Sequence, residues 1–170
     1  SMNSKTRSDL ANAFTNLGKD SDISVIILAG APGKAFIAGA DIKEFLERDM
    51  SSQEALEEDW IVTKVISNLS KPVIAMIDGF CLGGGLEIAM ACDLRIASDR
   101  SKLGQPEINL GIIPGAGGTQ RLTRLIGEGR AMEMILTGRM ITAEEACNYG
   151  ILNFTYSAEE LEIKTMEIAN

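Results

Sequence analysis

At 170 residues the chain has the length of one domain, enough to bury a core of its own. Its 24 acidic against 16 basic residues leave a net charge near −8, which disfavours nucleic acid and anionic membrane as partners, because phosphate binding needs clustered Lys and Arg. With no histidine and three cysteines (Cys81, Cys92, Cys147) lacking C-x-x-C spacing, a zinc site is not expected and Ser-His or Cys-His catalysis is excluded.

Aromatics make up only 5% of the chain, so the core must rest on Ile, Leu, Val, Ala and Met. Leu10, Ala13, Phe14 and Leu17 recur at helical spacing and predict a helix over 5–18. Ile23 to Leu28, closed by Gly30, reads as a buried strand. Ser51 and Glu54 form a capping box ahead of a helix with the stripe Ile61, Val62, Val65, Ile66 and Leu69. Pro72 introduces a second buried strand, Val73 to Ile77, ending at Gly79. A glycine-rich turn and a helix over 84–92 follow, then a strand at Leu94–Ala97 and helices over 116–126 and 129–137. Thr142 with Glu145, and Ser157 with Glu160, cap two more helices.

Strands alternating with helices imply an α/β domain with parallel pairing, either doubly wound or a spiral of strand–strand–helix turns. The opening Ser1-Met2 reads as a cloning scar, and the last helix lacks a stop signal before Asn170, so truncation is expected at both ends. No run reaches the length of a membrane span and no signal peptide is evident. Free thiols fit a reducing compartment, so a cytoplasmic location is expected, or the mitochondrial matrix in a eukaryote.

Chemistry concentrates in three stretches. Gly83-Gly84-Gly85 opens a helix that carries Glu87 among apolar neighbours. Glycines there permit positive φ and expose backbone N–H groups to a ligand, or else let the helix pack closely on the sheet. A glutamate in that setting is costly unless hydrogen-bonded or functional, although a charge favoured by the helix dipole is the plainer alternative. Glu107 follows Pro106, which fixes the approach of its backbone; alone it would be an ordinary loop carboxylate, and the partnership with Glu87 raises it. Gly33 to Ile42 is rich in small residues and suits a loop whose amides face a ligand, with Lys34 in reach of an anion and Asp41 placed to cap the next helix. It is not a P-loop, since Leu28 stands where the earlier glycine belongs and Ala35 where Ser or Thr does. Gly115-Ala116-Gly117-Gly118 fails G-x-G-x-x-G because position 120 is Gln. What survives is carboxylate chemistry beside a backbone oxyanion hole.

Three motifs, Ala35–Lys43, Ile77–Asp93 and Gly104–Leu122, strongly resemble the enoyl-CoA hydratase/isomerase (crotonase) family, and the similarity runs from about Ser4 to Tyr156. The resemblance implies a crotonase-like spiral of repeated ββα units lacking its first strand pair and C-terminal helical segment. It implies a homotrimer or a dimer of trimers, an acyl-CoA thioester as ligand, and no cofactor beyond the coenzyme A of the substrate. It puts the oxyanion hole on Ala38 and Gly84, the two hydratase glutamates on Glu87 and Glu107, and an amide near the reacting water at the Gly115 turn. Lys34, Ala35, Ala38, Gly39, Ala40, Asp41, Ile42, Gly83, Gly84, Pro106 and Gly115 would line the substrate, and no metal takes part. The expected activity is hydration of a 2-enoyl-CoA; the alternatives are Δ3-Δ2-enoyl-CoA isomerisation or non-catalytic acyl-CoA binding.

Overall fold

In a computed structural model, residues 2–31, 35–39, 41 and 61–170 are described. Helix α1 (Ser4–Lys19) is capped by Asn3, whose side chain accepts the Thr6 amide at 2.8 Å. Strands β1 (Ile26–Ala29) and β2 (Ala35–Ile37) follow. Helical residues 61–67, here α2, bury Val62 and Ile66 while Ile61 stays exposed. The capping box of Ser51 and Glu54 lies outside the described residues.

Next come β3 (Val73–Ile77), β4 (Phe80–Leu82) and α3 (Gly84–Ala91). Strands β5 (Leu94–Ser98) and β6 (Lys102–Gly104) lead into a 3₁₀ turn, Pro106–Leu110. The chain continues with α4 (Gly118–Ile126), α5 (Glu128–Thr137), β7 (Met140–Thr142) and α6 (Ala143–Tyr149). It closes with β8 (Phe154–Tyr156) and α7 (Leu161–Ala169). The box at Thr142 forms in full, with Glu145 N–H on the Thr142 hydroxyl and Thr142 N–H on the Glu145 carboxylate. The box at Ser157 closes a turn instead: Glu160 is itself the cap residue, and the helix begins one residue later.

Successive strands fall into two sheets. One has the order β1-β3-β5-β8, all parallel; the other has β2-β4-β6-β7, parallel except for the antiparallel β6–β7 pair. From β1 to β6, a strand of the first sheet passes directly to a strand of the second, and a helix then leads on to the next pair. This is the spiral of ββα units, and it excludes the doubly wound sheet that alternation alone left open.

Burial on both faces explains why β3 reads as a continuous apolar run. Val73, Ala75 and Ile77 enter the main core with Leu86, Ile88, Leu103 and Leu122. Their alternates Ile74 and Met76 pack with Ile96 and Leu161 in a second cluster that includes α7 residues. Arg95 is buried as well, its guanidinium spent on the carbonyls of Cys92 and Ile151 and on Asn153. Cys81 and Cys92 are buried free thiols, and Cys147 is half-buried. Burial pushes the Cys92 thiol up to about 12 and raises that of Cys81 further, so neither is a nucleophile.

Candidate active site

Parallel pairing of β2 with β4 brings two loops to one level. Ile37 lies opposite Cys81, so Ala38 and Gly39 leave β2 where Gly83 and Gly84 leave β4. The glycines divide the labour that the sequence left ambiguous. Gly83, at φ 55°, makes the turn. Gly85 serves packing, since a Cβ there would lie 2.2 Å from the Ile37 carbonyl oxygen. Gly84 is different: among the described residues, nothing beyond its chain neighbours and its own helix backbone lies within 4 Å of where its Cβ would stand. As first residue of α3, Gly84 has an N–H without an intrahelical acceptor.

Glu87 lies one turn into α3 and is only 3% exposed. Its Oε1 accepts the backbone N–H groups of Ala116 and Gly118, both at 2.7 Å. The dipole that satisfies it therefore belongs to α4, whose first residue is Gly118, in addition to that of its own helix. A Cβ on Gly118 would meet Glu87 Oε1 at 2.9 Å, the Gln105 amide at 2.7 Å and Pro114 at 2.7 Å, so only glycine leaves room for this clamp.

Glu107 reaches the same place from the 3₁₀ turn, with Pro106 at the head of that turn. Its Oε1 comes within 3.1 Å of the Cβ position on Gly83. The fully buried Gln105 side chain, its amide oriented by the available acceptors, donates to Glu107 Oε1 at 2.8 Å and Oε2 at 3.0 Å. Burial, and then the neighbouring Glu87 carboxylate, raise the Glu107 carboxyl from 4.5 to about 7. One carboxyl is thus strapped by two amides, and the other is poised to change protonation near neutrality.

Of the remaining expected site residues, Gly115 stands exposed beside Ala116 with nothing within 4 Å of its Cβ position. Ala35 lies in β2. Gly39 and Asp41 are tied to the start of the chain, Gly39 O accepting the Met2 amide and Asp41 N–H donating to Met2 O, each at 2.9 Å. Met2 is itself buried. Lys34, Ala40 and Ile42 lie outside the described residues, as does the helix that Asp41 was expected to cap. A shallow groove between α1 and α2, lined by Gly18, Val65 and Leu69, shares no residue with the carboxylate cluster and carries no acid pair.

The family model for enoyl-CoA hydratase/isomerase matches residues 1–170. The chain belongs to the enoyl-CoA hydratase/isomerase family. It is 45% identical over 172 residues to a short-chain-enoyl-CoA hydratase of Clostridium acetobutylicum, covering 99% of this chain and 65% of that protein. It is 43% identical over 171 residues to a crotonyl-CoA hydratase of Syntrophomonas wolfei, again covering 99% and 65%. A crystal structure of enoyl-CoA hydratase from Bacillus anthracis superposes with a TM-score of 0.93 at 45% identity, covering 99% of this chain and 66% of that one. The chain thus spans about two thirds of the length of these members.

Within this family frame, four residues had gone without a role in the sequence reading: Gln105, Ala116, Gly118 and Arg121. The Gly115–Gly118 run fails the dinucleotide fingerprint, and the resemblance implies only an amide near the reacting water at that turn. It is an anion cradle all the same, and the anion is the chain's own Glu87. Gln105 carried one legible signal, an amide side chain between Leu103-Gly104 and Pro106 in an otherwise apolar approach. Among the described residues no helix is long and apolar enough to cross a membrane.

Proposed function

We propose that this chain carries the catalytic centre of an enoyl-CoA hydratase acting on short 2-enoyl-CoA thioesters, with 3-hydroxyacyl-CoA dehydration as the reverse reaction. The observation that carries the reading is the pairing of two unlike carboxyls, one clamped by amides and one shifted to about 7, beside an open helix N-terminus. The names of the Clostridium and Syntrophomonas relatives support the substrate class.

The thioester oxygen sits on the N–H groups of Ala38 and Gly84, which stabilise the enolate-like charge that develops as C3 is attacked. Loss of one such donor typically costs about 3–4 kcal/mol. Glu87, anionic under its two amide donors, orients the water and takes its proton as the oxygen–C3 bond forms. Glu107 enters protonated and gives its proton to C2. Product release leaves Glu87 protonated and Glu107 ionised, and exchange with solvent resets both. Lys34, Ala35, Gly39, Ala40, Asp41 and Ile42 are assigned to the coenzyme A side, and no cofactor enters any step. A homotrimer or dimer of trimers in the cytoplasm, or in the mitochondrial matrix of a eukaryote, completes the reading. Exposed Ile108, Leu110, Ile113, Met132 and Leu136 supply apolar surface for such contacts.

The test is hydration of crotonyl-CoA by Glu107→Gln and Glu87→Gln. Each variant is expected to lose about 10²–10⁴-fold in kcat while still binding the thioester. Hydration at the parental rate by either variant would overturn its assigned role. Retained double-bond migration in Glu87→Ala, with hydration lost, would shift the reading to the isomerase. Binding of crotonyl-CoA without any turnover by the parent would make the protein a binding module.

A further inference from the structure

Glu87 is held by a turn, and something must hold the turn. Gly115 is exposed and Gly117 adopts φ 100°, so Ala116 alone contributes a buried side chain to residues 115–117. Arg121, in the second turn of α4, reaches back over this segment. Its Nη1 donates to the Ala116 carbonyl at 3.1 Å and its Nη2 to the Ser67 hydroxyl at 3.0 Å. The Ala116 residue is thus gripped from both sides: its N–H binds Glu87 and its C=O binds the guanidinium. Ser67 lies on α2, far away in sequence, so the fork ties the turn to a separate helix. Arg121 is partly desolvated, which lowers its pKa, while the Glu87 charge works in the opposite direction. The guanidinium and the carboxylate therefore feel each other's charge.

We propose that Arg121 is a positioning residue for Glu87, acting through the Ala116 carbonyl and anchored by Ser67. The inference rests on the reading of Glu87 as the group that orients water. A planar fork bonded to two fixed acceptors holds geometry better than a single flexible contact. Small displacements of a catalytic group cost turnover more than binding, since oriented approach is what the site supplies.

The experiment compares Arg121→Met, Arg121→Lys and Ser67→Ala in the full chain, with Glu87→Gln as reference. Arg121→Met is expected to lower kcat for crotonyl-CoA about tenfold with KM within about twofold. Arg121→Lys, able to reach one acceptor, recovers part of the loss. Ser67→Ala removes only an exposed hydroxyl, so it keeps the reasoning testable if Arg121→Met does not fold, and should lower kcat about two- to threefold. Hydrogen exchange supplies a readout independent of turnover: the Ala116 and Gly118 amides should exchange about tenfold faster in Arg121→Met, against unchanged protection in β3. Parental kcat and parental exchange in Arg121→Met, with Glu87→Gln inactive, would overturn the positioning role alone. A uniform loss of kcat, KM and β3 protection would make Arg121 merely structural and overturn it too. An active Glu87→Gln would overturn the underlying reading of Glu87 and with it this inference.

Discussion

Replacing Glu107 by Gln should make the protein more stable at alkaline pH while abolishing hydration. The carboxyl is shifted from 4.5 to about 7, chiefly by burial and then by Glu87, so its ionised form is disfavoured in the fold by about 3 kcal/mol. Its pKa is raised on folding, so between the two values the folded state holds the proton that the unfolded chain has lost. Stability of the parent therefore falls as pH rises from about 4.5 through about 7, and the whole penalty is present above that window. A neutral amide removes this dependence. Against the gain stands the charge-assisted part of the two bonds from Gln105, worth on the order of 1 kcal/mol. The net expectation is a gain of about 2 kcal/mol at pH 8.5, about 4–8 °C in Tm for a chain of this size, shrinking to about zero at pH 5. Urea or thermal unfolding of both proteins at the two pH values measures it. A variant no more stable than the parent at pH 8.5, or a difference that is the same at both pH values, would refute the reasoning, because the predicted effect is the pH dependence itself.

Other substitutions test the scaffold around the acid pair. Gly118→Ala puts a methyl group 2.9 Å from Glu87 Oε1 and 2.7 Å from the Gln105 amide, so crotonyl-CoA turnover should fall at least tenfold with a loss of about 1–3 kcal/mol in denaturant unfolding. Gly85→Ala meets the Ile37 backbone at 2.2 Å, where no side chain can yield; circular dichroism should show loss of cooperative unfolding or a drop above about 3 kcal/mol. Thr142→Ala removes the hydroxyl that accepts the Glu145 amide and should cost about 1 kcal/mol in thermal unfolding, leaving kcat unchanged.

What the sequence made legible follows from how locally each feature is determined. The helix 5–18 and the run Val73–Ile77 carry their own periodicity or continuity and emerge almost residue for residue as α1 and β3. The three-residue strands β2, β4 and β6 do not. Each is too short to show alternation, and each exists because it lies beside the next in the second sheet, a pairing made across 20 to 45 residues of chain. Glu87 and Glu107 were legible as carboxylates out of place, one on an apolar helix and one behind Pro106. The partners of Glu87 were not, because a main-chain amide that donates to a carboxylate from another helix has no side-chain signature. Ala116 and Gly118 look like any small residues in a turn. Arg121 looks like the polar face of an amphipathic helix until Ser67 is seen opposite it.

The two helix N-termini at this site do different jobs, and the difference explains why three consecutive glycines occur in one turn and a separated set in the other. At α4 the N-terminal amides are filled from within: Glu87 occupies them, and Gly118 lacks a side chain because the carboxylate and the Gln105 amide take its space. At α3 the first amide is left for an outside acceptor, and the space at Gly84 stays clear. Glu87 links the two, since it grows from α3 and ends on α4. It fills one positive helix end and leaves the other open. Exchanging the glycines would fail in both places, with a clash at Gly118 and a blocked entry at Gly84. An Ala at Gly84 meets none of the described residues beyond its chain neighbours and its own helix, so its cost should appear only with the thioester present: near-parental unfolding, but a raised KM and a lowered kcat for crotonyl-CoA. If Gly84→Ala instead lost stability and turned over normally, the open N-terminus would be a packing feature and the oxyanion would have to lie elsewhere.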